Sequence, residues 1–133
     1  MKKVITFGVF DYFHLGHLRL FKQARQFGDY LIVAVQDDDS ILSFKPDTSV
    51  FYSTEQRVEL IEALRIVDEV RVYSNIESAV KEIEFDILAL GEDHVGGRFS
   101  RAEEWCIENG KQVVHLRRTP GISSTEIKRY LMT

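Results

Sequence analysis

Short apolar runs without alternation are separated along this chain by longer stretches whose apolar positions recur every three or four residues. Val4-Ile5-Thr6-Phe7 is β-branched and aromatic and ends at Gly8, which predicts a buried strand feeding a turn. From Leu15 onward, Leu18, Phe21 and Ala24 fall at helical spacing, and Gly28 stands where a helix C-terminus takes a left-handed residue. Tyr30 to Val35 is apolar throughout, the pattern of a strand covered on both faces in a parallel sheet. Strand, helix and strand make a βαβ unit.

Beyond it, the acidic stretch Asp37-Asp38-Asp39 reads as a solvated loop rather than a magnesium site, leading into Lys45-Pro46-Asp47. Ser53-Thr54-Glu55-Gln56 is a capping-box pattern that opens a helix to about Leu64, with Val58, Ile61 and Leu64 as its apolar stripe. Further strands are predicted at 69–72, 87–90 and 112–116, and helices at 76–83 and 101–109, the latter ended by Gly110. Ser100 with Glu103, and Ser123 with Glu126, read as two more capping boxes. Five strands alternating with five helices predict one α/β domain over residues 1–133, Rossmann-like, with a mostly parallel sheet flanked by helices. Its ligand belongs beyond the carboxyl ends of the strands.

Composition narrows the class of partner more than it changes the fold. At 133 residues, with 44% hydrophobic and 29% charged positions, the chain has the size and balance of one water-soluble domain. The net charge of -4 and the absence of a basic run argue against nucleic acid as a partner. No apolar run approaches the roughly 18 residues that span a bilayer, so no membrane partner is expected. The opening Met1-Lys2-Lys3 leads into an apolar stretch too broken for a signal peptide, and a cytoplasmic location follows as the expectation. Cys106 is the only cysteine, so no internal disulfide is available.

Candidate chemistry concentrates in Gly8-Val9-Phe10-Asp11-Tyr12-Phe13-His14-Leu15-Gly16-His17, which joins the end of the first strand to the first helix. A helix N-terminus offers unpaired N–H groups and positive dipole charge, and two imidazoles three residues apart project to one side. Together they suit a polyphosphate. Gly16 leaves out a side chain where a ligand approaches the backbone. Zinc bound by His14, His17 and Asp11 is the weaker alternative, since no fourth ligand accompanies them. At the other end, Ser123-Ser124-Thr125 place hydroxyls and N–H groups at a helix start, and Arg118 can hold a phosphate through two parallel hydrogen bonds.

These residues carry a resemblance. Gly-Val-Phe-Asp at 8–11 and His-Leu-Gly-His at 14–17 resemble the signature of nucleotidyltransferases related to class I aminoacyl-tRNA synthetases. The segment from Arg118 to Lys128, Arg-Thr-Pro-Gly-Ile-Ser-Ser-Thr-Glu-Ile-Lys, is similar to that of their cytidylyltransferase branch. In length and motif order the chain is most similar to the glycerol-phosphate enzymes of that branch, from Lys3 to about Lys128.

The resemblance implies that an acceptor phosphate attacks the α-phosphorus of CTP and pyrophosphate leaves, with Mg2+ accompanying the nucleotide and no metal held by the chain's own carboxylates. It implies His14, His17, Lys45 and Arg118 as the catalytic set. Gly8, Val9, Phe10, Asp11, Gly16, Asp93, Arg118, Thr119, Gly121, Ile122, Ser123, Ser124 and Thr125 would bind nucleotide. Asp93 matches an Asp that meets the ribose. Candidates for the acceptor pocket are Lys45, Arg71, Tyr73 and Lys81, and the implied assembly is a homodimer.

The chain departs from the family pattern at Val9, which removes a hydroxyl near the phosphates, and at His94, where Trp is usual. Its lysine loop has one Lys followed by Pro46 and Asp47, and its segment from Ser74 to Ala79 is shorter. These changes leave the acceptor's identity open. Glycerol 3-phosphate or a related polyol phosphate, coupled for envelope or capsule synthesis, is the expected acceptor. The competing readings are an adenylyltransferase on the same fold, a non-catalytic nucleotide-binding domain and a partner module.

Overall fold

The structure is a computed structural model that describes residues 1–92, 94–118, 120 and 122–132. In chain order the elements are β1 (Lys3–Gly8), α1 (Leu15–Arg25), β2 (Tyr30–Gln36), α2 (Asp38–Phe44), α3 (Thr54–Glu62), β3 (Glu69–Tyr73), α4 (Ile76–Glu82), β4 (Ile87–Gly91), α5 (Gly97–Glu108), β5 (Gln112–Leu116) and α6 (Ser124–Leu131). The five strands form one sheet in the order β3-β2-β1-β4-β5, with every neighbouring pair parallel. This is a Rossmann-like arrangement. Strand order reverses at β1, so the loops after β1 and β4 diverge and leave a crevice at the carboxyl edge of the sheet.

Alternation along the strands explains why they read as continuous apolar runs. Ile5, Phe7, Ile32, Ala34, Leu88 and Leu90 point to one face, where Ile76, Ala79 and Val80 of α4 and Ala102 and Cys106 of α5 cover them. Val4, Leu31, Val33, Val35, Ile87 and Ala89 point to the other, beneath Phe21 and Ala24 of α1 and Ile61 of α3. Both faces of β1, β2 and β4 are dry, so these strands need no polar alternation, while the edge strands β3 and β5 leave residues such as Arg71 and Gln112 exposed. The Cys106 thiol is buried in the first cluster, and burial pushes its pKa up to about 11, leaving it an inert apolar group.

Four local expectations are corrected. The acidic stretch is not a loop: Asp37 caps α2 by accepting from Ser40 N–H at 2.7 Å, and Asp38 and Asp39 occupy the first turn, where carboxylates favour the helix dipole. The described residues therefore hold six helices rather than five. Helix α5 begins at Gly97 behind Gly96, whose φ is +73°, so Ser100 lies inside it and the expected Ser100–Glu103 box has no terminus to cap. Gly28 is not left-handed. A Cβ there would lie 2.5 Å from the Lys2 carbonyl oxygen, so its role is to let the chain pass beneath the start of β1.

Candidate active site

The loop between β1 and α1 is a strained segment held from several sides. Phe10 and Tyr12 adopt positive φ, 57° and 50°, which costs on the order of 1–3 kcal/mol each for residues with side chains. The buried Asp11 carboxylate accepts from Phe51 N–H at 2.8 Å and Tyr52 N–H at 3.0 Å, tying the loop to the segment before α3. Arg57, fully buried, donates to Val9 O at 2.9 Å, Gln36 O at 2.7 Å and Tyr52 O at 3.1 Å, and pairs with Asp38 at 2.5 Å. From the far end of the chain, Ser124 Oγ donates to the Asp11 carbonyl at 3.0 Å.

This frame orients the two histidines. His14 caps α1: its Nδ1 accepts from Gly16 N–H at 3.0 Å, while His17 Nδ1 accepts from His14 N–H at 3.3 Å. The rings stack with centroids 3.8 Å apart, and Phe10 meets His17 edge-on at 5.3 Å. A nitrogen that accepts from a backbone N–H carries no proton, so in each neutral ring the proton sits on Nε2. Burial, then the neighbouring His14, depresses the His17 pKa to about 3; burial and then Arg118 lower that of His14. The pair is two neutral N–H donors at neutral pH. Gly16 makes room for this stack, because a Cβ there would lie 2.8 Å from the His14 ring.

The N-terminus of α6, capped by Ser123 accepting from Glu126 N–H at 3.1 Å, comes up beside that of α1. Two helix N-termini thus face one cleft of about 590 Å³. Gly8 to Asp11, His14, Gly16 and His17 line it from the first loop, and Ile122 to Thr125 line it from α6. Lys45, Tyr73 and Arg118 complete the expected residues that the structure brings together there. Among the described residues, Lys45, Arg98, Arg117, Arg118 and Lys128 supply cationic side chains, while the carboxylates are Glu92 and the already engaged Asp11. The lining is cationic although the chain is acidic, which suits a polyanion.

Other expected residues lie elsewhere. Arg71 shares a face with Tyr73 but sits two residues, roughly 7 Å, farther from the carboxyl edge, where it is exposed and pairs with Glu69 at 3.2 Å. Lys81 occupies the last turn of α4, which runs back toward the amino edge of the sheet. Asp93, Thr119 and Gly121 fall outside the described residues. The zinc alternative loses its ligands: Asp11 is committed to backbone N–H groups, as are both Nδ1 atoms. Among the described residues no three of His, Cys, Asp and Glu gather as a metal-binding group.

The sequence reading missed Arg57, Arg98, Arg117 and Lys128. Arg57 had a signal, since it stands four residues before Ile61 on the apolar stripe of α3. Lys128 likewise follows Ser124 by one helical turn and reaches toward Ser49 O, at 3.5 Å, and the Tyr12 ring, at 5.3 Å.

Residues 5–130 match the cytidylyltransferase-like family. The chain belongs to that family. Among its cytidylyltransferase relatives, the glycerol-3-phosphate cytidylyltransferase of Bacillus subtilis (strain 168) is 39% identical over 131 residues, covering 96% of this chain and 95% of that protein. The enzyme of the same name from Staphylococcus aureus (strain NCTC 8325 / PS 47) is 38% identical over 134 residues, covering 98% and 96%. Among solved structures, the lipopolysaccharide core biosynthesis protein from Thermoplasma volcanium GSS1 superposes with a TM-score of 0.73 at 27% identity, covering 90% of this chain and 97% of that one. No helix among the described residues is long and apolar enough to cross a membrane.

Proposed function

We propose that this cytidylyltransferase-like chain transfers the cytidylyl group of CTP to glycerol 3-phosphate or a closely related polyol phosphate, as a homodimer that feeds envelope or capsule synthesis. The observation that carries the reading is 39% identity, over 96% of the chain, to a glycerol-3-phosphate cytidylyltransferase, together with a cationic cleft where two helix N-termini meet a neutral histidine pair. In the reaction an acceptor phosphate oxygen forms a bond to the α-phosphorus of CTP. The bond from that phosphorus to the bridging oxygen breaks, and pyrophosphate leaves with the electron pair. The enzyme supplies no nucleophile, so catalysis consists of alignment and stabilisation of the charge that builds on the phosphoryl oxygens.

The Nε2–H groups of His14 and His17 donate to those oxygens, and Arg118 with the α6 N-terminus holds the departing phosphates. Lys45, at the end of α2, neutralises the approaching acceptor. Among the described cleft residues cations and imidazoles outnumber the two carboxylates, a donor set that fits magnesium carried by the triphosphate. Such an ion offsets phosphate charge when bound. Incubation with labelled CTP, Mg2+ and glycerol 3-phosphate is expected to give CDP-glycerol and pyrophosphate, identified by phosphorus NMR. CTP binding without any coupled product would contradict the reading.

A further inference from the structure

We infer that Arg98, whose guanidinium lies over the Phe44 ring, is the anchor for the acceptor's phosphate. The inference rests on the cytidylyl-transfer reading. Arg98, in the first turn of α5, extends from the loop after β4 across the crevice to Phe44, the last residue of α2. Its guanidinium carbon lies 3.4 Å from the Phe44 ring centroid, and both residues line the cleft. Arg98 makes no ion pair among the described residues. Glu77, whose carboxylate feels the Arg98 charge, is bound by Arg101 at 2.7 Å. Among the described residues this half-buried guanidinium lies against an aromatic face, and a bidentate phosphate contact outweighs a cation–π contact.

The surroundings of Arg98 fit a small phosphomonoester. Lys45 follows Phe44 directly, adding a second cation on the same side of the cleft. Tyr73, at the carboxyl end of β3, also lines the cleft, and its hydroxyl makes no hydrogen bond among the described residues. Burial raises the Tyr73 pKa, so the phenol stays protonated as a donor, while Arg98 and Arg57 act in the opposite direction. Two cations and one neutral donor thus converge at the β2 and β3 side. The β1 and β5 side carries His14, His17 and Arg118 for the nucleotide. This separation leaves the acceptor phosphate facing the α-phosphorus instead of competing for the triphosphate's contacts. It also places the acceptor cation on α5, away from both Arg71 and Lys81.

The test is a steady-state comparison of Arg98→Ala, Arg98→Lys and Phe44→Leu with the unmodified protein, using CTP and glycerol 3-phosphate. Arg98→Ala is expected to raise the acceptor KM about tenfold or more, with the CTP KM held within about twofold, and Arg98→Lys to recover part of the loss. Phe44→Leu keeps the apolar wall and removes the π face, so the acceptor KM should stay level or fall. An equal rise in both KM values for Arg98→Ala, or a tenfold rise in acceptor KM for Phe44→Leu, would mean that Arg98 merely props the cleft wall and would overturn the assignment. Calorimetric titration of glycerol 3-phosphate into each protein separates the two proposals. If the unmodified protein couples no acceptor, cytidylyl transfer fails, and the Arg98 assignment then stands only if Arg98→Ala binds glycerol 3-phosphate more weakly than the unmodified protein does.

Discussion

His17 shows how one side chain is set to its task by what surrounds it. Its Nδ1 is spent on the His14 N–H, its ring is stacked on His14, and burial removes the water that would stabilise a charged imidazolium. A folded-state pKa near 3, against about 6.5 when unfolded, means that below the unfolded value the unfolded chain binds the extra proton. Stability from this group is therefore complete above pH 6.5 and is lost as pH falls toward 3, by up to about 1.4 kcal/mol per pH unit. His17→Ala should lower kcat about a hundredfold or more at neutral pH, because a donor to developing charge is removed, and should also flatten the acid limb of the stability curve. Denaturant titrations at pH 4 and pH 7 together with kcat check both halves. An unchanged acid limb would show that His17 is already charged in the folded protein.

At the scale of elements, α2 and α3 are coupled through Arg57. Its guanidinium reaches Val9 O at the start of the strained loop, Gln36 O at the end of β2 and Asp38 in the first turn of α2. Replacing it with Met leaves the Val9, Gln36 and Tyr52 carbonyls without this donor, at about 1–3 kcal/mol for each that stays unsatisfied, while the Asp38 carboxylate, 41% exposed, turns to water. Arg57→Met is thus expected to lower Tm and to weaken CTP binding together, since the same bonds hold the segment that positions His14. Loss of stability with CTP affinity intact would separate the loop from this network. Helix α2 was illegible in the sequence for a related reason: Ile41 is its one buried residue, while Leu42 and Phe44 stay exposed. What secures it is the Asp37 cap and the pairing of Asp38 with Arg57, and no periodicity announces either. The strands β1, β2 and β4 were legible because both their faces are apolar, and the starts of α6 and α3 because Ser123 and Ser53 cap them locally.

Across the whole molecule, the sequence located the crevice but not everything that reaches into it. The loop after β1 and the start of α6 were readable because their residues act where they stand in the chain. Arg98 was not, because its position depends on how far the loop after β4 carries it over the sheet. Arg71 and Lys81 failed to reach the cleft for the converse reason, that a residue type says nothing of its distance from the carboxyl edge. The property that decides what this cleft serves is its choice of CTP over other nucleotides with a phosphate acceptor. It is tested most directly by comparing kcat/KM for CTP and ATP with glycerol 3-phosphate and Mg2+, following pyrophosphate release. A clear preference for CTP and a CDP-linked product are expected, whereas equal or faster turnover of ATP would assign the chain to adenylyl transfer.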